Sequence, residues 1–290
     1  MLGGIGIKPI IIVVILLLIG FSYFQNNSIV ISRYRIKSNK LPRAFEGYKI
    51  VQLSDLHNKG FGKGQRRLVN IVGAERPDII AFTGDIIDSR RFGYANSIEL
   101  IRQLIKIAPI YYVTGNHEWA SGYAPKLLKR LNDEGVEVLN DVHRDISIDR
   151  DKIYILGIDD PSSKNQGIRE RENPIVRAAI QEAIDGVPKY GFKILLSHRP
   201  EKLPIYSIFD IDLILSGHAH GGQVRLPLIG GLFAPNQGIL PKYSEGQHKL
   251  GDSTMVVSRG LGNSIAPQRI FNRPEVVVIE LLNERAEEVN

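Results

Sequence analysis

KIVQLSDLH, at residues 49–57, is an apolar run of strand-like composition that stops at Asp55 and His57. The same construction returns as DIIAFTGD at 78–85, IYYVTGNH at 110–117, KILLSH at 193–198 and DLILSGHAH at 212–220. Each run ends in Asp, Asn or His: Asp55 and His57, then Asp85, then Asn116 and His117, then His198, then His218 and His220. In open α/β sheets, ligands bind beyond the carboxyl ends of the strands. If these strands lie side by side and mostly parallel, their polar ends converge on one edge.

Outward from these motifs the chain alternates apolar strands with helical patterns, the βα alternation of an α/β domain. Strands are expected at 48–53, 79–83, 110–114, 153–158, 192–197, 211–216, 255–258 and 276–281, and helices at 64–74, 96–107, 124–134 and 174–184. With 290 residues, 43% hydrophobic and 23% charged, the chain can bury a sizeable core. The absence of cysteine excludes thiolate nucleophiles, disulfides and zinc–thiolate sites. A metal must therefore be held by nitrogen and oxygen. Of seven histidines, only His143 and His248 lie outside the strand-end motifs. Imidazoles with carboxylates and an asparagine suit manganese, iron or zinc better than calcium, and are too many for one tetrahedral ion. Taken singly, each motif has a plainer reading: Ser-Asp as an Asx turn, Gly-Asp and Gly-Asn as turn pairs, His198 as a core histidine. Their joint order points to two divalent metal ions.

The order D-x-H, G-D, G-N-H-E, H, G-H-x-H resembles the calcineurin-like metallophosphoesterase superfamily from about Lys49 to His220, with every motif position filled. Beyond it, GHAHGGQ at 217–223, SRGLGN at 258–263 and NRPEV at 272–276 resemble a bacterial, membrane-attached subgroup that includes UDP-diacylglucosamine pyrophosphohydrolases. The resemblance implies a four-layer α/β/β/α sandwich. It also implies that Asp55, His57 and His220 hold one metal, that Asn116, His198 and His218 hold the other, and that Asp85 and a hydroxide bridge both. His117 would protonate the leaving group or stabilise phosphoryl charge rather than bind metal. Two cations roughly 4 Å apart lower the pKa of bound water and clamp the phosphoryl oxygens. Gly84, Gly115 and Gly217 would allow sharp turns beside the ligands.

Three further residues are candidate substrate ligands. Arg199 follows His198 and can either fork a phosphate or pair with Glu201; Arg259 and Asn263 follow the 255–258 strand. Glu118 is read as orienting its loop. Residues 226–240 (LPLIGGLFAPNQGIL) are apolar without clear periodicity. They form either a loop over the sheet or, through Leu232 and Phe233, a lipid contact.

Residues 10–24 (IIIVVILLLIGFSYF) carry no charge, and the apolar run reaches back to Ile5, about the 20 positions that cross a bilayer. Lys8, near its end, can snorkel. A cleavable export signal is the rival reading, with Gly20 and Ser22 near a cleavage point. The expected organisation is a membrane anchor at 1–25, a basic juxtamembrane linker at 26–46 and a catalytic domain at 47–290. Arg33, Arg35, Lys37, Lys40 and Arg43 come after the anchor. The positive-inside rule places the catalytic domain in the cytoplasm, whereas likeness to an export signal places it outside. The same basic residues can also rest on anionic headgroups.

The expected activity is metal-dependent hydrolysis of a phosphate ester or diphosphate bond in a membrane-associated or nucleotide-linked substrate at the cell membrane. The net charge of +6 is scattered, and no basic patch with interleaved aromatics suggests nucleic acid. Alternatives are a nuclease or protein phosphatase on the same site, or a catalytically silent scaffold, which would be expected to lack ligands that this chain retains.

Overall fold

Two six-stranded sheets face each other across a shared apolar layer, and a computed structural model describes residues 7–91, 93–164, 169–263 and 267–284. Residues 1–6 of the expected anchor and 285–290 of the expected catalytic domain lie outside the described residues. In chain order the strands are β1 (Val30–Ser38), β2 (Lys49–Leu53), β3 (Ile79–Thr83), β4 (Ile110–Val113), β5 (Glu137–Val138), β6 (Val142–Ile148), β7 (Asp151–Gly157), β8 (Lys193–Leu196) and β9 (Leu213–Ser216). Then come β10 (Arg225–Leu226), β11 (Gly230–Gly231), β12 (Phe233–Ala234), β13 (Gly238–Ile239), β14 (Gly246–Leu250), β15 (Ser253–Val257) and β16 (Glu275–Asn283). The helices are α1 (Ile7–Asn27), α2 (Arg66–Glu75), α3 (Ala95–Leu104), α4 (Asn116–Ala120), α5 (Ala124–Asp133), α6 (Glu172–Ala183) and α7 (Leu203–Tyr206).

One sheet has the order β1-β16-β2-β3-β4-β5 and the other β14-β15-β9-β8-β7-β6. The strands that end in the polar motifs, β2, β3 and β4, are parallel, as are β8 and β9, so within each sheet their carboxyl ends share an edge. Side chains alternate across a strand. Ile80 and Phe82 of β3 therefore pack with Leu68, Val72, Ile98, Ile101 and Leu127 of α2, α3 and α5. Ile79 and Ala81 face the other sheet instead, meeting Ile194, Leu196, Leu213 and Leu215. On the far side, Leu195 and Ile214 pack with Val176 and Ile180 of α6 and Tyr206 of α7. The result is the helix–sheet–sheet–helix sandwich that the motifs implied.

The linker expectation at 26–46 needs correction. Val30–Ser38 pairs residue for residue with β16, from Val30 opposite Glu275 to Ser38 opposite Asn283, and forms the edge of the first sheet. Its basic residues made it read as a linker, but charged side chains are what protects an exposed sheet edge. Arg33 pairs with Glu75 at 2.6 Å and Arg35 with Glu280 at 3.0 Å, so these two cations have partners within the protein. Strands β5, β6 and β14 and helix α4 were also unforeseen. They are short or half-exposed and carry little apolar periodicity.

Gly157 closes β7 close against the other sheet: a Cβ there would overlap Leu139 and lie 2.7 Å from Val113 Cγ1. Gly157→Val should destabilise the fold by about 1–3 kcal/mol through overpacking. Urea unfolding of the full chain checks this, and an unchanged midpoint would contradict the close sheet approach.

Candidate metal centre

The strand ends turn sharply. Asp55, His57, Asp85, His218 and His220 all have φ between 47° and 66°. This left-handed region is unusual for residues with a side chain, although Asp and His tolerate it better than most. Gly84 shares that handedness at φ 89°. Gly115 and Gly217 do not, and they are glycine for a different reason. A Cβ on Gly115 would overlap the Asp85 carboxylate, and one on Gly217 would overlap Ser54 Oγ and the Asp55 carboxylate. Close approach, rather than turning, demands a bare backbone there.

Two buried clusters result: Asp55, His57, Asp85 and His220, and Asp85, His198 and His218. Within each, the potential ligand atoms lie within 4.8 Å of one another. Asp85 belongs to both. His57 Nε2 faces His220 Nε2 at 3.1 Å, and His198 Nε2 faces His218 Nδ1 at 3.1 Å. His220 Nε2 is 3.3 Å from Asp55 Oδ1, and His198 Nε2 is 3.2 Å from Asp85 Oδ2. His198 Nδ1–H donates to the Thr83 carbonyl at 2.7 Å, which aims Nε2 into the site, as the outer-sphere partners of metal-binding histidines do. Asn116, at the start of α4, buries an Oδ1 without a hydrogen-bond partner, as does His57 at Nδ1.

The electrostatics suit cations. Burial pushes His57 down to about 3 and holds His218 and His220 well below their ordinary value, so their lone pairs stay available. Burial lifts Asp55 to about 6. Asp85 is also buried, yet the adjacent His198 keeps it well below the usual carboxylate range. Burial pulls His198 down, but the Asp85 carboxylate overrides it and lifts the imidazole to about 10. Paired imidazole nitrogens at 3.1 Å need a proton or a cation between them, and metal binding displaces such protons. Carboxylates, imidazoles and an orphaned amide oxygen with no thiolate therefore fit a pair of divalent ions.

A sequence model of the calcineurin-like phosphoesterase family matches residues 48–222. The chain belongs to the calcineurin-like phosphoesterase family. Among its relatives is the uncharacterized metallophosphoesterase YkuE of Bacillus subtilis, 31% identical over 265 residues that cover 89% of this chain and 87% of that one. The transmembrane protein with metallophosphoesterase domain of Danio rerio is 30% identical over 85% of this chain, which spans only 56% of that longer protein. Phosphodiesterase YaeI of Escherichia coli is 27% identical over 81% of this chain and 82% of that one. This phosphoesterase is metal-dependent, and its buried Asp and His clusters could hold the ions.

Beyond Glu118, which the sequence reading has orienting its loop, several residues that build this phosphoesterase site escape a sequence reading. Asp88 lies 3.6 Å from His117 Nδ1 and joins His57 and His117 in a third buried cluster. Ser89 N–H donates to His117 Nδ1 at 3.1 Å, which leaves the proton of a neutral ring on Nε2. Spacing within GDIID was the available signal for Asp88. Glu118 accepts from the backbone N–H groups of Asp85, Ile87 and Gly115 at 2.9, 3.2 and 2.6 Å and so ties two ligand loops together. Burial, helped by the Asp85 charge, pushes Glu118 up to about 8 against those donors. Gln52 Nε2 bridges the sheets to Thr83 Oγ1 at 3.2 Å and the Ser216 carbonyl at 2.9 Å. Asn272 Nδ2 donates to the His220 carbonyl at 2.7 Å, and Gly262 N–H to the Asp55 carbonyl at 2.6 Å.

The candidate substrate ligands fare differently. Arg199 is buried and forks Asp160 at 2.5 and 2.9 Å, with Glu172 and Glu201 at 3.7 and 3.9 Å. Three carboxylates neutralise it, and its main partner is not the Glu201 expected. Arg259 pairs with Glu245 at 3.3 Å and Glu275 at 3.1 Å. Asn263 instead accepts from Lys59 Nζ at 3.0 Å beside a cavity that His57 also lines.

Asp85→Asn should lower the content of both metals, because one carboxylate serves both clusters; metal analysis at wild-type stoichiometry would contradict its shared position. Asp88→Asn should leave metal content intact and reduce the rate. Chelation should lower the unfolding midpoint, and metal at a hundred times its Kd should restore about 2.7 kcal/mol.

Proposed function

We propose that this chain hydrolyses a phosphodiester or diphosphate bond in a membrane-associated or nucleotide-linked substrate. The observation that carries the reading is Asp85, common to both buried clusters. Asp55, His57 and His220 would hold one ion, and Asn116, His198 and His218 the other. Manganese, iron or zinc would suit these donors. Bound there, the pair of cations neutralises phosphoryl charge and supplies an acidified water as nucleophile. His117 then acts at the leaving group: its Nδ1 accepts from Ser89 N–H, so Nε2–H is the proton it can donate. Asp88 sits behind that imidazole and steadies its charge as the proton moves.

Two cavities support the substrate class. One, of about 420 Å³, lies beside Asp88 and is lined by Ile87, Arg91, Tyr94, Tyr123 and Lys126 among others. Cations there attract phosphate, and exposed tyrosine rings suit a planar base or a sugar face. The second, of about 360 Å³, runs from Asn26 in the last turn of α1 to His57, with Lys59 and Arg91 on its walls. It would admit a phosphate whose apolar tail stays at the helix. The motif resemblance to UDP-diacylglucosamine pyrophosphohydrolases makes a lipid-linked diphosphate the natural test compound.

The full chain, loaded with manganese, should hydrolyse an aryl phosphodiester, and chelation should abolish this. His117→Ala should keep both metals while losing roughly 10²–10⁴ in kcat. Metal loss in that variant would make His117 a ligand. Failure to cleave any member of a panel of soluble and lipid-linked diesters and diphosphates would leave the scaffold reading standing.

A further inference from the structure

α1 offers its apolar residues outward: from Phe21 at 40% to Ile7 at 72%, its large apolar side chains are exposed along the whole helix. It is long and apolar enough to cross a membrane. Its C-terminal turns, however, are fastened to the catalytic domain. Ser22 Oγ and Asn26 Nδ2 donate to Gln268 Oε1 at 2.5 and 2.8 Å, and Arg269 N–H donates to Asn26 Oδ1 at 3.0 Å. The Phe21 ring meets Phe271 edge-on at 5.7 Å, and the Arg273 guanidinium lies 4.8 Å from the Phe24 ring. The segment from Gln268 to Arg273 thus sits at the level where α1 leaves its apolar stretch.

The β10–β11 hairpin is fixed to the same segment. Val224 bridges Ile270, and Arg225 N–H donates to the Ile270 carbonyl at 3.0 Å. The hairpin turn carries Leu228 and Ile229, which together with Phe271 line one shallow hollow. All three point away from the core: Leu228 is fully exposed, Ile229 60% and Phe271 53%. Leu228 and Phe271 also hold φ of 69° and 51°, in the left-handed region. Large apolar residues rarely adopt that conformation, and they lack the polar side chain that compensates Asn or Asp there. Here two such residues, in different segments, are displayed side by side next to an apolar helix.

We propose that Leu228, Ile229 and Phe271 form a second membrane contact, seated in the interfacial layer of the bilayer that α1 enters. The occupant is lipid because the patch continues an apolar surface, through Phe271 against Phe21, that already demands one. Apolar side chains at such a boundary bind as monotopic anchors do. Of the two residues named as a possible lipid contact, Leu232 is partly covered and Phe233 is 50% exposed, and neither lines the hollow beside Phe271. The contact also sets the attitude of the metal edge. The strands after the hairpin return to the ligand loop, with Asn236 Nδ2 at 3.3 Å from His218 Nε2. This inference goes beyond the proposed reaction and needs no turnover to be tested.

The chain has no cysteine, so single-cysteine labelling is clean. Leu228→Cys, Ile229→Cys and Phe271→Cys in the full chain would each carry an environment-sensitive fluorophore. Ile15→Cys would report the anchor, and Tyr190→Cys an exposed site before β8. In phosphatidylcholine–phosphatidylglycerol vesicles, emission at 228, 229 and 271 should shift to the blue and be quenched by nitroxide-bearing lipids. The label at 190 should respond to aqueous iodide alone. If position 15 embeds while 228, 229 and 271 remain open to iodide, the second contact is wrong. If position 15 stays wet as well, both the contact and the anchor fall.

Discussion

Everything in the active edge stems from holding two carboxylates and four imidazoles in a volume that excludes water. Such a cluster opposes its own assembly, because buried histidines resist charging and buried carboxylates repel one another. The protein counters this with geometry. Asp85 reaches both clusters, His198 is aimed by the Thr83 carbonyl, and Asp55 accepts His218 N–H at 3.1 Å. Positive φ at five of the site residues is the conformational cost of the arrangement. A pair of divalent cations would turn the same crowding into coordination.

The two-sheet architecture makes that gathering possible. Parallel strands deliver their carboxyl ends to a common edge, and three of them in one sheet meet two of them in the other. Gln52 stitches the sheets together just beneath the site. The antiparallel strands, β6, β14 and β16, contribute no ligand; they close the sheets, and β16 seats the edge strand β1. Glu118 and Asn272 lock loops that come from distant parts of the chain, so small shifts in packing would be felt at the ligands.

The N-terminal helix is part of this design rather than a loose tether. Asn26 closes one wall of the cavity that leads to His57, and Lys59 donates to the Asn26 carbonyl at 2.5 Å. Burial and the nearby Arg269 push Lys59 down to about 7, a further sign of how tightly helix, loop and ligand strand are packed. The cavity beside His57 thus begins where the apolar helix ends.

Much of this was legible from the primary structure because strand ends advertise themselves. An apolar run stopping at Asp or His is local, and five such runs in one order point to the α/β class and to a metal-dependent phosphoesterase. Residues that act by packing left no such local mark. Arg199 beside His198 left a phosphate or Glu201 open as its partner until Asp160, 39 positions earlier, folded onto it. Asp88 looked like an ordinary acid, because its partner is the ring of His117 on another loop. Val30–Ser38 looked like a linker, because a charged edge strand is made by its pairing with β16 across 245 positions rather than by its own pattern. Side-chain chemistry is written residue by residue, whereas neutralisation, edge pairing and the direction of an exposed turn exist only once remote segments meet.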